Sequence, residues 1–231
     1  MFFIRKLVYI FVFISCQNCS AIESITLAAE NSWPPYSDKN GNGISKNIIQ
    51  AAYQAMNVEV KFIAVPYSRA LKMAEHGQVD GAFNVTKQKS TIKRFNFGEI
   101  PILQATASFY YHNDSTMNFT STDEIPDTTS VGVIIGYEYG NNYERNKNRF
   151  REVTVANQEQ LIQLLRKKRI KVAIMFDEIV KNKLESMGLH ANDIKKGQTN
   201  HSSDIYVAFS KSKDTRNALK LLNEGLIQLT N

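Results

Sequence analysis

The chain has 231 residues, of which 43% are hydrophobic, 22% charged and 10% aromatic, enough apolar surface to bury a core in one large domain or two small ones. Its formal net charge of +6 is mildly basic. The densest basic run, "RKKRIK" at 166–171, closes an amphipathic helix pattern, so it is a solvated helix end and a nucleic-acid-binding arm is excluded.

The first 21 residues read as an export signal. "MFFIRK" is short and basic, "LVYIFVFI" is an apolar run too short for a stable membrane anchor, and "SCQNCSA" places Cys19 and Ala21 at −3 and −1 of a cleavage site before Ile22. The competing reading is lipidation at Cys16, although "FISC" carries Phe13 where a lipobox has Leu. Cleavage after Ala21 removes both cysteines and lowers the charge by two through Arg5 and Lys6. The mature chain would be periplasmic, cysteine-free, without a disulfide frame or thiolate metal site, and not membrane-spanning.

The remaining pattern alternates strands and helices. "SITLAA" reads as a strand, and "NSWPPYS" interrupts it with two prolines that fix φ and remove donors. Trp33, the only tryptophan, therefore sits on a stiff loop, either as a core plug or facing a visitor. The helical stripe of "GISKNIIQAAYQAM" follows, then the strand "VEVKFIAV", the helix "YSRALKMAEHG" closed by Gly77, and the buried strand "VDGAFNV". This order predicts an α/β layer fold with a mostly parallel sheet. The pattern then restarts. A long strand at 104–112 leads to a polar stretch, the strand "SVGVIIG", a weak helix in "YEYGNNYERNKNRF", the strand "EVTVA", the helix "NQEQLIQLLRKK" with capping-box spacing, the strand "IKVAIMF" and the helix "DEIVKNKLESMG". A strand at 204–210 and a last helix, "TRNALKLLNEGLIQL", end the chain. Two lobes are expected, 22–110 plus 206–231 and 111–205, with the two long strands crossing between them.

In this order, "SWPPYS", "GQVDGAFNVT", "FNFGEIPIL", "SVGVIIG" and "KVAIMFDE" make the chain resemble the periplasmic solute-binding proteins of family 3, the amino-acid receptor class of ABC transporters. "VPYSRAL" at 65–71 resembles a divergent branch of it. The resemblance covers residues 24–231. It implies a two-lobed periplasmic-binding-protein fold of type II-like topology, with two crossing strands as a hinge and a small polar, amino-acid-like solute held in the cleft. It also implies a monomer that meets an ABC permease, with no cofactor, metal or nucleic acid.

The resemblance assigns residues too. Trp33 and Tyr36 would wall the ligand, with Tyr67 beside them. Asn84 and Thr86 fall on ligand positions. The family's carboxylate-clamping arginine would stand at Thr91, so it is absent, and Arg69 in "PYSRAL" is the candidate replacement. Lys87, Lys89, Lys93 and Arg94 crowd the same stretch but read individually as a solvated loop. In the second lobe Gly136 matches, and a helix start behind it would offer N–H groups to an anion. Tyr137 and Glu138 replace two small hydroxyl residues, and Glu138 would repel a carboxylate. Asp177 stands where the family keeps an acid for the ligand ammonium, or else caps the following helix.

No catalytic pattern is present. The four histidines are scattered, and there is no Walker loop, His-Glu-x-x-His or Gly-x-Ser-x-Gly. An enzyme on this scaffold, resembling the cyclohexadienyl dehydratases, would need Glu30, Glu138 or Asp177 as its acid or base. A transporter-independent sensor is the third reading.

Overall fold

The computed structural model describes residues 24–230. The expected signal at 1–21, including Cys16, lies outside them. Among the described residues no helix is long and apolar enough to cross a membrane, and no group of His, Cys, Asp and Glu is placed to hold a metal ion.

Nine strands form one sheet in the order β2-β1-β3-β9-β5-β8-β6-β7, with β4 also paired to β9. In the first half are β1 (Ile25–Glu30), β2 (Val60–Val65), β3 (Gly81–Thr86) and β4 (Phe95–Phe97). Helices α1 (Ile44–Ala55), α2 (Tyr67–Glu75) and α3 (Lys89–Ile92) connect them, and α7 (Arg216–Thr230) returns to this half at the end. In the second half are β6 (Ser130–Ile134), β7 (Arg151–Val155) and β8 (Val172–Phe176), with α4 (Gly140–Asn146), α5 (Gln158–Arg166) and α6 (Asp177–Ser186). β5 (Leu103–His112) and β9 (Ile194–Ser210) join the halves.

The sheet is mixed rather than mostly parallel. β1 is parallel to β2 and β3, and β6 to β7 and β8. Every pair involving β5 or β9 is antiparallel. The cause is β9. It runs ten residues longer at its start than the apolar pattern of "DIYVAFS" indicates, because "IKKGQTNHSS" pairs with β5 although it is polar and half-exposed. Such a strand is held by ladder hydrogen bonds from its neighbour, which hydrophobic periodicity cannot report.

The core follows the amphipathic stripes. On one face Leu27, Trp33, Ile49, Tyr53, Phe83, Phe109, Val133 and Phe176 belong to one buried cluster that runs through both halves. On the other face α5 and α6 pack Leu161, Ile162, Leu165 and Val180 against Tyr110 and Met175, while α2 packs Tyr67, Ala70 and Leu71 against Ala82 and Val85. Helix α7 lies so close to α1 that a Cβ on Gly225 would come within 2.0 Å of the Ala52 carbonyl oxygen. Only glycine permits this approach.

This topology places the carboxyl ends of the central strands β1 and β6 on the same side as the loops that follow them, where open α/β sheets bind ligands.

Candidate functional site

Between the halves lies a cavity of only about 10 Å³, room for about one water and far below the roughly 300–1,000 Å³ of ordinary ligand pockets. Glu30, Trp33, Tyr67, Asn84 and Thr86 line it from the first half, and Tyr137, Glu138 and Phe176 from the second.

Glu30 is the last residue of β1. The loop behind it is stapled by mutual backbone bonds of Trp33 and Ser37, and the Ser37 hydroxyl donates to the Glu30 carbonyl oxygen. That turn drives Trp33 into the core at 2% exposure. The indole packs on Tyr36 at 4.7 Å and edge-on against Phe176 at 5.3 Å. Trp33 is thus both plug and wall, while Tyr36 supports it from outside the cavity lining. The Trp33 Nε1 donor is buried and has no partner.

Asn84 sits where β3 slips register against β9, between Phe83 and Val85. Its φ of 67° is left-handed, a conformation that Asn tolerates better than most side chains. Its side chain is released from the ladder and lines the cavity, and neither amide atom has a partner. Unpartnered buried amides cost free energy, so native proteins keep few of them.

The two carboxyl groups are bound across the halves. Tyr137 of the second half donates its hydroxyl to Glu30 of the first. Tyr67 of the first half donates to Glu138 Oε2 of the second at 2.6 Å. The tyrosine rings themselves meet edge-on at 5.1 Å. Burial pushes both carboxyls up to about 8, and each tyrosine bond opposes that rise without cancelling it. Burial raises both tyrosines well above their ordinary range, the nearby glutamates adding to the effect.

Other residues singled out in the sequence lie elsewhere. Thr91 is buried and spent on the turn after β3: its hydroxyl donates to the Thr86 carbonyl at 2.7 Å and accepts from Gln88 N at 3.0 Å. Arg69 is exposed and does not line the cavity. Asp177 is the first residue of α6 and Phe176 its N-cap, so Asp177 is not the cap. It accepts instead from Tyr110 at 2.8 Å, Ser108 at 3.1 Å and Lys196 at 2.7 Å, in a separate surface pocket. Ser108 and Tyr110 alternate with Phe109 along β5, so the side chains that hold Asp177 point to the sheet face opposite Phe109 and the cluster it shares with Trp33.

Gly136 adopts φ 83° and passes within 3.4 Å of Ser68 when given a Cβ, a close contact between the halves. It does not open a helix: α4 begins only at Gly140. Tyr137 and Glu138 occupy the intervening stretch instead of a helix start. The basic run after β3 also stays outside. Arg94 makes a forked bond to Glu75 at 2.9 and 2.8 Å, Lys87 lies over Tyr206, and Lys89 and Lys93 are exposed. Among the described residues no Lys, Arg or His lines the cavity.

Sequence reasoning weighed Glu30 only as an acid for an enzyme and missed Phe176. The usable signal was position, since both end strands that point at the cavity.

The family model of the bacterial extracellular solute-binding proteins, family 3, matches residues 25–231. An ancestral arginine-binding protein bound to arginine superposes with a TM-score of 0.74 at 16% identity, over 90% of this chain and 92% of the other. An amino acid ABC transporter substrate-binding protein from Streptococcus pneumoniae bound to L-arginine gives 0.72 at 16%, over 90% and 89%. A histidine kinase sensor domain with similarity to periplasmic binding proteins gives 0.75 at 16%, over 90% of each. At these identities the likeness shows the fold. No curated protein matches the sequence.

Proposed function

The chain belongs to the bacterial extracellular solute-binding proteins of family 3, and from that premise we propose that it is an exported, monomeric receptor that closes around one small polar solute and hands it to an ABC permease. The cleft lies between a lobe of residues 22–110 plus 206–231 and a lobe of 111–205. β5 and β9 act as the hinge, because they alone carry the chain between the two sets of parallel strands. Closure brings Tyr137 to Glu30 and Tyr67 to Glu138, so each lobe completes polar bonds that the other lacks when apart.

The observation that carries this reading is the unsatisfied polar lining. Both amide atoms of Asn84 and the Nε1 of Trp33 are buried beside the cavity without partners. A solute with donors and acceptors restores those bonds. Solute binding then stabilises the native state by mass action.

The test is a thermal-shift screen of the mature chain against amino acids, polyamines and small organic acids, followed by small-angle scattering with each compound that raises Tm. A raised Tm together with a smaller radius of gyration is expected. A screen in which no compound moves Tm overturns the reading.

A further inference from the structure

We propose that the solute recognised at this cavity is an organic cation, its ammonium or guanidinium head held between Glu30 and Glu138 and enclosed by aromatic rings, with no clamp for a carboxylate. The inference rests on the preceding reading, that the cavity is the solute site, and adds the chemistry of its occupant.

The charge balance of the lining points one way. Glu30 and Glu138 are 3% and 7% exposed, and each has a single tyrosine hydroxyl as its side-chain partner. No basic side chain among the described residues lines the cavity with them. Of the charged groups in the surroundings, Arg94 attracts Glu138 from a distance but is forked onto Glu75, and Glu144 repels it. Two buried carboxyls without a counter-charge hold their protons near neutrality, which is the direction burial gives them. An incoming cation is the group that lets one of them ionise. One proton lost from the pair is then replaced by the single positive charge of the head, and the second carboxyl keeps its proton, so the site remains balanced.

The rest of the lining agrees. Trp33, Tyr67, Tyr137 and Phe176 surround the space with aromatic surface, which attracts cations through its negative faces. Asn84 Oδ1 is an unpartnered acceptor for a ligand N–H. A ligand carboxylate, by contrast, would be a third acidic group beside Glu30 and Glu138, with neutral donors such as the Asn84 amide, the Trp33 Nε1 and the Thr86 hydroxyl but no cation to meet it. Burying an anion without a charged partner is costly. At about 10 Å³ the cavity holds no more than about one water as it stands, so the halves must part to admit the cation's head.

Calorimetry on the mature chain with agmatine, putrescine, L-arginine, L-glutamine and L-glutamate tests this. Agmatine or putrescine should bind, with L-glutamate silent. Glu30→Gln and Glu138→Gln should each weaken the cation at least about tenfold, as loss of a desolvated charge partner does. The wild type supplies a readout that needs no variant. Titration in two buffers of different ionisation heat at pH 7 should show protons released on binding, and affinity should rise between pH 6 and 8. Tighter binding of L-glutamine or L-glutamate, retained in both Gln variants, overturns the cation and leaves the solute-receptor reading standing. Cation binding without proton release, and indifferent to both variants, overturns the role of the two carboxyls. Absence of binding by all five compounds overturns the inference; if the wider screen also fails, the receptor reading falls with it.

Discussion

In the first half of the molecule the central parallel strand β1 ends directly on Glu30; in the second, β6 ends at Ile134 and a turn at Gly136 delivers Glu138. Each half thus brings one acid to the cavity from the end of its middle strand. Each half also sends a tyrosine to the other's acid, Tyr137 to Glu30 and Tyr67 to Glu138. The halves differ in what they leave unpaired. Asn84 and the Trp33 Nε1 of the first half have no partner. In the second half Asp177 is engaged by Ser108, Tyr110 and Lys196, and the Tyr139 hydroxyl accepts from Ile134 N. Charge is therefore shared across the cleft, whereas the buried unpartnered groups among the cavity-lining residues, Asn84 and Trp33, belong to the first half, and that half reads the solute's polar pattern.

The largest expected effect is on pH dependence. Glu30 and Glu138 are raised from an ordinary 4.5 to about 8. Below 4.5 they are protonated in the folded and unfolded chains alike. Between 4.5 and 8 the folded, closed protein binds more protons than the unfolded one. Its stability is then lost as pH rises, by up to about 1.4 kcal/mol per pH unit for each carboxyl. Tm of the ligand-free wild type should fall from pH 5 to 8, and the double variant Glu30→Gln/Glu138→Gln should remove the slope. A single-site variant that removes all of it would break the symmetry of charge between the halves.

A smaller effect tests the reciprocal tyrosines. Tyr67→Phe and Tyr137→Phe should each destabilise the protein by about 1–3 kcal/mol in urea unfolding at pH 6, because each leaves a buried carboxyl without its donor. Their rings touch, so the double variant should depart from additivity. A cost confined to one of them would show that only one half depends on the other.

The smallest effects concern the residues the structure keeps out of the cavity. Arg69→Ala should change stability by no more than about 0.5 kcal/mol and leave cation affinity unaltered. Asp177→Ala should cost about 1 kcal/mol of stability, through bonds on the far sheet face, with affinity again retained. If Arg69→Ala instead cost on the order of 2–5 kcal/mol of binding, a carboxylate clamp would lie at Arg69 and the assignment of charge between the halves would be reversed.

Strand and helix identities were legible in the residues wherever burial imposed a period. The helix α1, the strand β2 and the buried runs of β6 and β8 formed as read, although α1 turns Ser45, Ile49, Ala52 and Tyr53 to the core and leaves Ile44 exposed. The polar first part of β9 was not legible, since its ladder depends on a partner about a hundred residues away in sequence. By itself the sequence determined an α/β fold of family 3, a stiff aromatic loop at a strand end, and a threonine rather than an arginine at position 91. Residue type and local order fix those features. Only the tertiary structure decided that Glu30 enters the cavity, that Asp177 leaves it and that Arg69 stays in solvent. Those outcomes turn on which way a strand pleat, a register slip at Asn84 and a turn at Gly136 aim a side chain, and on which tyrosine waits on the opposite half. Such directions are set by contacts between segments far apart in the chain, so no local pattern of residue types encodes them.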